Sequence, residues 1–385
     1  MPVKSIKSKW QVSCTGFLIV LFSMSAEAQE KKRWLSRLVY KLVIDTTSSE
    51  SRSFRVYPTI AYSPETSFEF GFSSLMLFRA KQDTLNRLSE INAFTFVTLR
   101  QQYGLWFDNA IYGDQDKWFF LGRTRIQRFP LLYYGIGPVT PGNAPAIVDA
   151  NYILFRQRVL RKIVPNLFFG PEVDYQLLSK TEFKQPENHA PYPLPAGSSG
   201  TGNLGGGLAL VYDNRHNVLN VRKGFFGEIA FLNYNKTFGS DFSFHSWNVD
   251  FRSFHPIRKN NVIAWQVTGN FINGQVPFNQ MAQMGGDMMM RGYYQGRYRD
   301  KNLVAAQVEY RMLPFSFSKR IGGTLFASLA NVSPALDQMM INKTRLAGGA
   351  GLRYLLFPKK DIFLRFDLGF TEEGPGFYIF TGEAF

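Results

Sequence analysis

Residues Ile362-Phe363-Leu364-Arg365-Phe366-Asp367-Leu368-Gly369-Phe370 alternate apolar side chains with Arg365, Asp367 and Gly369. A strand sends alternate side chains to opposite faces, so one face here meets hydrocarbon and the other meets water and counter-charges. The same beat recurs along most of the chain. A chain built this way folds as a transmembrane antiparallel β-barrel, apolar outside and polar within.

The beat gives sixteen segments: 54–62, 67–78, 92–99, 103–112, 118–128, 150–162, 167–178, 202–212, 225–235, 242–257, 262–273, 303–314, 321–332, 346–357, 362–370 and 376–385. An even number suits a bacterial barrel, and most segments are near the roughly 9–11 residues a tilted strand needs. No stretch after the first 28 residues has the apolar length of a membrane helix. Abundant Phe and Tyr with slightly negative mean hydropathy fit one apolar face and aromatic girdles.

Residues 1–28 read as a secretory signal. Lys4, Lys7 and Lys9 precede the apolar run Phe17 to Phe22, and Ala26-Glu27-Ala28 is a small-x-small cleavage site. The single cysteine, Cys14, lies inside it, which excludes disulfide and thiol chemistry in the exported chain. Removing three lysines and one glutamate with that segment lowers the net charge from +15 to +13. Export argues against a nucleic-acid partner, and acidic lipid headgroups of an outer membrane take that place. Residues 29–53 carry Trp34-Leu35, Leu38-Val39 and Leu42-Val43 at helical spacing after Lys31-Lys32-Arg33, the pattern of a short amphipathic helix. Such a helix lies on the periplasmic membrane surface or tucks into the barrel, and the surface is the favoured place.

Phasing the strands by their apolar side puts Arg123, Arg125, Arg156, Arg158, Glu172, Asp174, Asp250, Arg252, Glu309, Arg311, Arg353, Arg365 and Asp367 inside. Both signs are interleaved, so cross-strand ion pairing explains them better than solute selection. Three connections are long: 129–149, 179–201 and 274–302. The last contains Gly285-Gly286-Asp287, Met290-Arg291-Gly292-Tyr293-Tyr294 and Gly296-Arg297-Tyr298-Arg299-Asp300. Arginines among aromatics suit insertion into a charged lumen, where guanidinium pairs bidentately with carboxylate and stacks on rings. Glu309 faces that lumen within reach of Arg291.

Met290-Arg291-Gly292-Tyr293 resembles the (Val/Ile)-Arg-Gly-aromatic loop motif of the BamA/TamA outer-membrane assembly barrels, the bacterial surface antigen family. Glu309 in Ala306-Gln307-Val308-Glu309-Tyr310-Arg311 matches that family's acidic strand residue. Pro58 to Thr66, Tyr212-Asp213-Asn214-Arg215, Lys223-Gly224 and Gly382-Glu383-Ala384-Phe385 resemble its opening turn, central segments and terminal strand. The resemblance implies a loop locked inside the barrel by Arg291, Gly292, Tyr293 and Glu309. A wider lumen network would take in Arg297, Arg311, Asp250, Arg252, Arg353, Arg365 and Asp367, and Phe385 would act as an assembly signal. It also implies a soft seam between 54–62 and 376–385. Ser328 and Ala330 stand where the family has Asp and Gly, so Arg291 lacks one expected acid. POTRA repeats do not precede the barrel in this sequence, so handling of an unfolded polypeptide client would need a separate periplasmic partner. The barrel is expected to be monomeric.

Catalytic chemistry is not expected. Ser, His and Asp do not assemble into a lipase-like pattern, and His189, His216, His245 and His255 are scattered. No cofactor or metal is implied; Asp287 and Asp300 have only a generic spacing for calcium. Three functions remain open: assembly or translocation of polypeptide (or lipid), a passive porin or solute channel, and a structural surface barrel.

Overall fold

In the computed structural model the alternation closes on itself. The structure describes residues 53–385 apart from Thr84, Arg100, Phe129, Asn143, Asn188, 217–219, Lys259 and 359–360. The signal segment and all but the last residue of the amphipathic segment therefore lie outside the described residues.

The strands are β1 (Ser53–Ser63), β2 (Ser67–Arg79), β3 (Leu88–Thr98), β4 (Tyr103–Tyr112), β5 (Trp118–Arg128), β6 (Leu131–Tyr133), β7 (Ala146–Val164), β8 (Leu167–Lys184), β9 (Thr201–Asp213), β10 (Gly224–Tyr234), β11 (Phe244–Arg258), β12 (Asn261–Gly274), β13 (Ala282–Met284), β14 (Tyr298–Asp300), β15 (Asn302–Met312), β16 (Ile321–Ser333), β17 (Arg345–Phe357), β18 (Ile362–Thr371) and β19 (Gly374–Thr381). β13 and β14 form a hairpin of their own inside the long loop. β6 pairs only along the outer end of β7. The remaining sixteen strands pair antiparallel with their neighbours, and β19 meets β1 to close the ring.

The register confirms the phasing. Leu105, Phe107, Phe155, Leu208, Val308 and Leu329 line the outside and are exposed to the lipid position. Arg158, Glu172, Asp174, Glu309, Arg311, Arg353, Arg365 and Asp367 point inward and are buried. Their burial is tolerable because each inward arginine finds an acid. Arg158 bonds Glu172 at 2.8 Å and Glu228 at 2.7 Å, and Arg156 bonds Asp174 at 3.0 Å. A buried charge without a partner would cost several kcal/mol (about 3–5).

Four strands differ from the sequence reading by four residues or more at one end. β7 and β8 run beyond the expected 150–162 and 167–178 and past bulges at Asp149/Asn151 and Lys162/Val164; Ala146 and Val148 of the extension pack in a buried apolar cluster with Leu178 and Phe183. β3 starts at Leu88, four residues early, because Leu88, Glu90 and Asn92 continue its inward row. The last strand stops at Thr381, so 382–385 do not belong to it.

The long loop after β12 returns into the barrel. Met284, Met290, Tyr293 and Tyr298 form one buried cluster with Ala305, Ala330 and Ala347 of the wall. The wall there is built from small residues. One cross-strand row reads Phe326, Gly349, Gly369, Gly376 over β16 to β19. Those three glycines leave a trough that the loop fills.

Candidate functional site

The loop tip is held by one arginine. Arg291 is 1% exposed. Its Nη1 donates to Asp367 Oδ2 at 2.7 Å and its Nη2 to Glu309. Its guanidinium lies 3.6 Å from the Phe326 ring centroid. Asp367 is thus the second acid that Ser328 cannot supply; it arrives from β18 instead of β16. The same two acids hold further cations. Glu309 accepts from Arg311 Nε at 2.7 Å, and Asp367 from Arg353 Nη1 at 2.5 Å. Arg365 bonds Asp287 of the loop at 2.7 Å and lies 3.5 Å from Asp367.

Gly292, next in the chain, adopts φ +115, a conformation open to glycine at little cost. It sits in the trough: a Cβ on Gly369 would strike the Arg291 carbonyl, and one on Gly376 would come within 2.9 Å of Gly292 Cα. Its N–H donates to the Tyr378 hydroxyl of β19 at 2.9 Å. Tyr293 is buried against Tyr298, ring centroids 6.0 Å apart.

Three residues of the expected lumen network stand apart from the Arg291 anchor. Arg297 bonds Glu373 at 2.7 Å and the Thr140 hydroxyl at 2.6 Å, and its guanidinium lies 4.2 Å from the Tyr298 ring centroid. It ties the long loop to 130–145 and the β18–β19 turn, away from the central acids. Asp250 and Arg252 bond each other along β11 at 2.5 Å. Arg299, which the sequence did not single out, is 1% exposed between Tyr133 and Phe278. It donates to the carbonyls of Leu132 and Gly296, and among the described residues no carboxylate pairs with it. Burial pulls its pKa down to about 10.

The seam is the other half of the site. β1 and β2 pair over all eleven residues of β1, whereas β1 and β19 share the single pair Tyr62↔Ile379. Pro58 lies in β1 and Pro375 in β19, and proline gives no N–H to a ladder. Below Thr381 the chain leaves the wall. Glu383 accepts from Arg353 Nε at 2.9 Å, the Phe385 backbone oxygen accepts from Arg311 Nη2 at 2.9 Å, and the Phe385 ring joins Val221, Phe254, Val262 and Ala264. The sequence reading of a seam running along 376–385 is corrected on this point. The segment is polar at Glu383, which a lipid-facing edge would not accept, and it turns inward to Arg353. Lower down, Tyr57 of β1 meets the Phe357 ring of β17 at 5.6 Å.

The long loop touches both lips of this seam. Beyond the Gly292–Tyr378 bond on β19, Gln295 N–H donates to Glu65 Oε1 at 2.9 Å in the β1–β2 turn. Glu65 is buried, and burial pushes its carboxyl pKa above 4.5 against the pull of Gln295 N–H and the Ser63 hydroxyl, with Asp287 adding to the rise. The folded barrel therefore binds more protons than the unfolded chain between 4.5 and the raised value, and stability falls as pH rises through that window. Glu65→Gln keeps an acceptor and removes the buried charge. It should unfold at a higher temperature than wild type at pH 8, with the gap closing below about pH 4.5, where Glu65 is neutral in both states. A gap independent of pH would show that Glu65 is not charged in its buried site.

A family model described as the Omp85 superfamily domain matches residues 167–385, more than half of the chain. The chain belongs to the Omp85 superfamily. Barrels of this superfamily sit in the outer membrane. The fold is similar to BamA from Haemophilus ducreyi lacking POTRA domains 1–3, at TM-score 0.55 and 11% identity over 90% of this chain and 77% of that one. It is also similar to CdiB from Acinetobacter baumannii (TM-score 0.55, 12% identity, 86% of this chain and 60% of that one). CdiB from Escherichia coli gives TM-score 0.56 at 8% identity over 89% and 68%. The chain thus spans less than two thirds of the Acinetobacter protein. Curated proteins gave no match. At such identities the likeness to these structures is one of fold. Within this Omp85 barrel, the loop tip is anchored at Arg291 and β1 meets β19 at Tyr62 and Ile379.

Proposed function

We propose that this Omp85 barrel assists the insertion or translocation of polypeptide, or of lipid, at the outer membrane by parting β1 from β19. The observation that carries the reading is the single ladder pair at the seam. Among the described residues β1 and β19 share no ladder pair from Val56 to Ala61, which leaves that edge open to an incoming strand, the chemistry of strand addition. The loop 275–301 acts as plug and strap, since it joins both lips through Glu65 and Tyr378. Arg291, Gly292, Tyr293 and Glu309 hold it in place. A separate periplasmic protein would bring the client, residues 1–28 would be removed on export, and the barrel would work as a monomer.

A solute channel on the same scaffold is separated by single-channel conductance in planar bilayers. Wild type should stay nearly closed, and a deletion of 286–298 should open a large steady pore. Steady conductance with solute preference in wild type would replace the assembly reading with a channel.

A further inference from the structure

The outer wall presents lipid with a cation that no acid answers. Trp118 and Arg161 are paired directly across β5 and β7. Their neighbours Phe119 and Leu160 are buried inside the barrel, so the alternation turns Trp118 and Arg161 outward. The Arg161 guanidinium lies 5.9 Å from the Trp118 ring centroid. The outward row continues through Phe169 of β8 to Leu210 of β9, both exposed. Ile163, two residues past Arg161 on the same face, is exposed as well. Arg161 therefore stands inside an apolar patch and not past its edge. The long connections after β5, β8 and β12 mark the extracellular end, so the short turns 113–117 and 165–166 make this end periplasmic.

Among the described residues Arg161, which is exposed, forms no ion pair. Arg128, at the other end of β5 and with the same parity, bonds Asp149 at 2.7 Å. Lys117, next to Trp118, is exposed and likewise forms no ion pair among the described residues. The acids of its turn are spent: Asp114 on Lys81 at 2.6 Å and Asp116 on Arg87 at 3.2 Å. Lys162 is spent too, its Nζ donating to the Gln115 carbonyl.

We propose that Arg161, Trp118 and Lys117 bind the headgroup of an anionic phospholipid in the periplasmic leaflet. Phosphate oxygens supply the acceptors that Arg161 lacks, in the geometry a guanidinium fork fits. An indole suits headgroup level, and its face steadies the cation beside it. Phe169, Leu210 and Ile163 meet the acyl chains. Lys117 adds a second positive charge, which favours a lipid of net negative charge over a zwitterionic one. The apolar residues around the cation continue the lipid face of the wall, which suits a lipid and not a soluble acidic partner. This site lies away from the seam and the Arg291 anchor, and does not depend on the assembly reading.

The test uses the full barrel in a nonionic detergent, with retained lipid counted by native mass spectrometry. Phosphatidylglycerol, phosphatidylethanolamine and inorganic phosphate are the probes. Wild type is compared with Arg161→Gln, Lys117→Gln and the control Arg128→Gln, each first shown to keep the wild-type heat-modifiable band. Wild type should retain phosphatidylglycerol about fivefold better than phosphatidylethanolamine, and Arg161→Gln and Lys117→Gln should each weaken that retention about fivefold. Arg128→Gln should leave it unchanged, and phosphate should not displace the lipid. Four results would each overturn the proposal: equal retention of the two lipids by wild type, unchanged phosphatidylglycerol retention in either Arg161→Gln or Lys117→Gln, an equal loss in Arg128→Gln, or displacement by phosphate. The last would leave a site for a free anion. If one site variant misfolds, the other decides.

Discussion

Arg291→Ala should lower the stability of the folded barrel by about 3–5 kcal/mol, the usual cost of removing one partner from a buried ion pair. The size follows from what remains. Glu309 and Asp367 are both buried, and both would lose the cation between them. Arg311 and Arg353 still touch them, at 2.7 and 2.5 Å, which keeps the loss from being larger. Arg291→Lys should recover only part, because a single ammonium cannot donate to two acids and lie flat on Phe326. The readout is the temperature at which the compact band disappears in detergent gels, together with conductance. The alanine variant should both melt earlier and leak. An unchanged melting temperature would mean that the loop is held by its other contacts.

A comparable effect is expected from Gly369→Val, which touches no charge. The added side chain would occupy the trough where the Arg291 carbonyl and Gly292 lie. Backbone cannot yield there as a flexible side chain would, so the loop tip must leave. The valine itself suits a strand, and the barrel should still assemble. The expected result is a folded barrel with a large open conductance and new protease sensitivity within 286–298. Gly376→Val should behave alike, since it presses on Gly292 from the neighbouring strand. A closed, protease-resistant Gly369→Val would show that the loop does not rest in the glycine row.

Much of this was readable in the sequence, for a physical reason. Period-two alternation gives strands and their facing, so the sixteen strands and the inward charges followed from residues such as Arg365 and Asp367. The Arg291–Glu309 pairing was legible because the motif and the acid lie on adjacent elements of the chain. What could not be read were coincidences of register. Gly349, Gly369 and Gly376 look like separate weak strand positions until strand pairing places them in one row. Asp367 becomes the second partner of Arg291 only because β18 lies under the loop. Glu383 belongs to the stretch read as terminal strand, and only the inward turn to Arg353 explains a carboxylate there. Arg297 and Arg299, two residues apart in the loop, point to quite different layers, which spacing alone does not reveal.

The most direct test of the seam is a disulfide across it. Tyr62 and Ile379 are directly opposed on neighbouring antiparallel strands, a separation that a disulfide can bridge. The chain after the signal has no cysteine of its own, so Tyr62→Cys with Ile379→Cys is unambiguous. The measurement is the rate at which a urea-unfolded outer-membrane barrel inserts into liposomes holding this protein. Insertion should be accelerated by the reduced double variant, fall to the rate of empty liposomes when oxidised, and recover on reduction. Equal acceleration by the oxidised and reduced forms would contradict the account, because the work would then be done without parting β1 from β19.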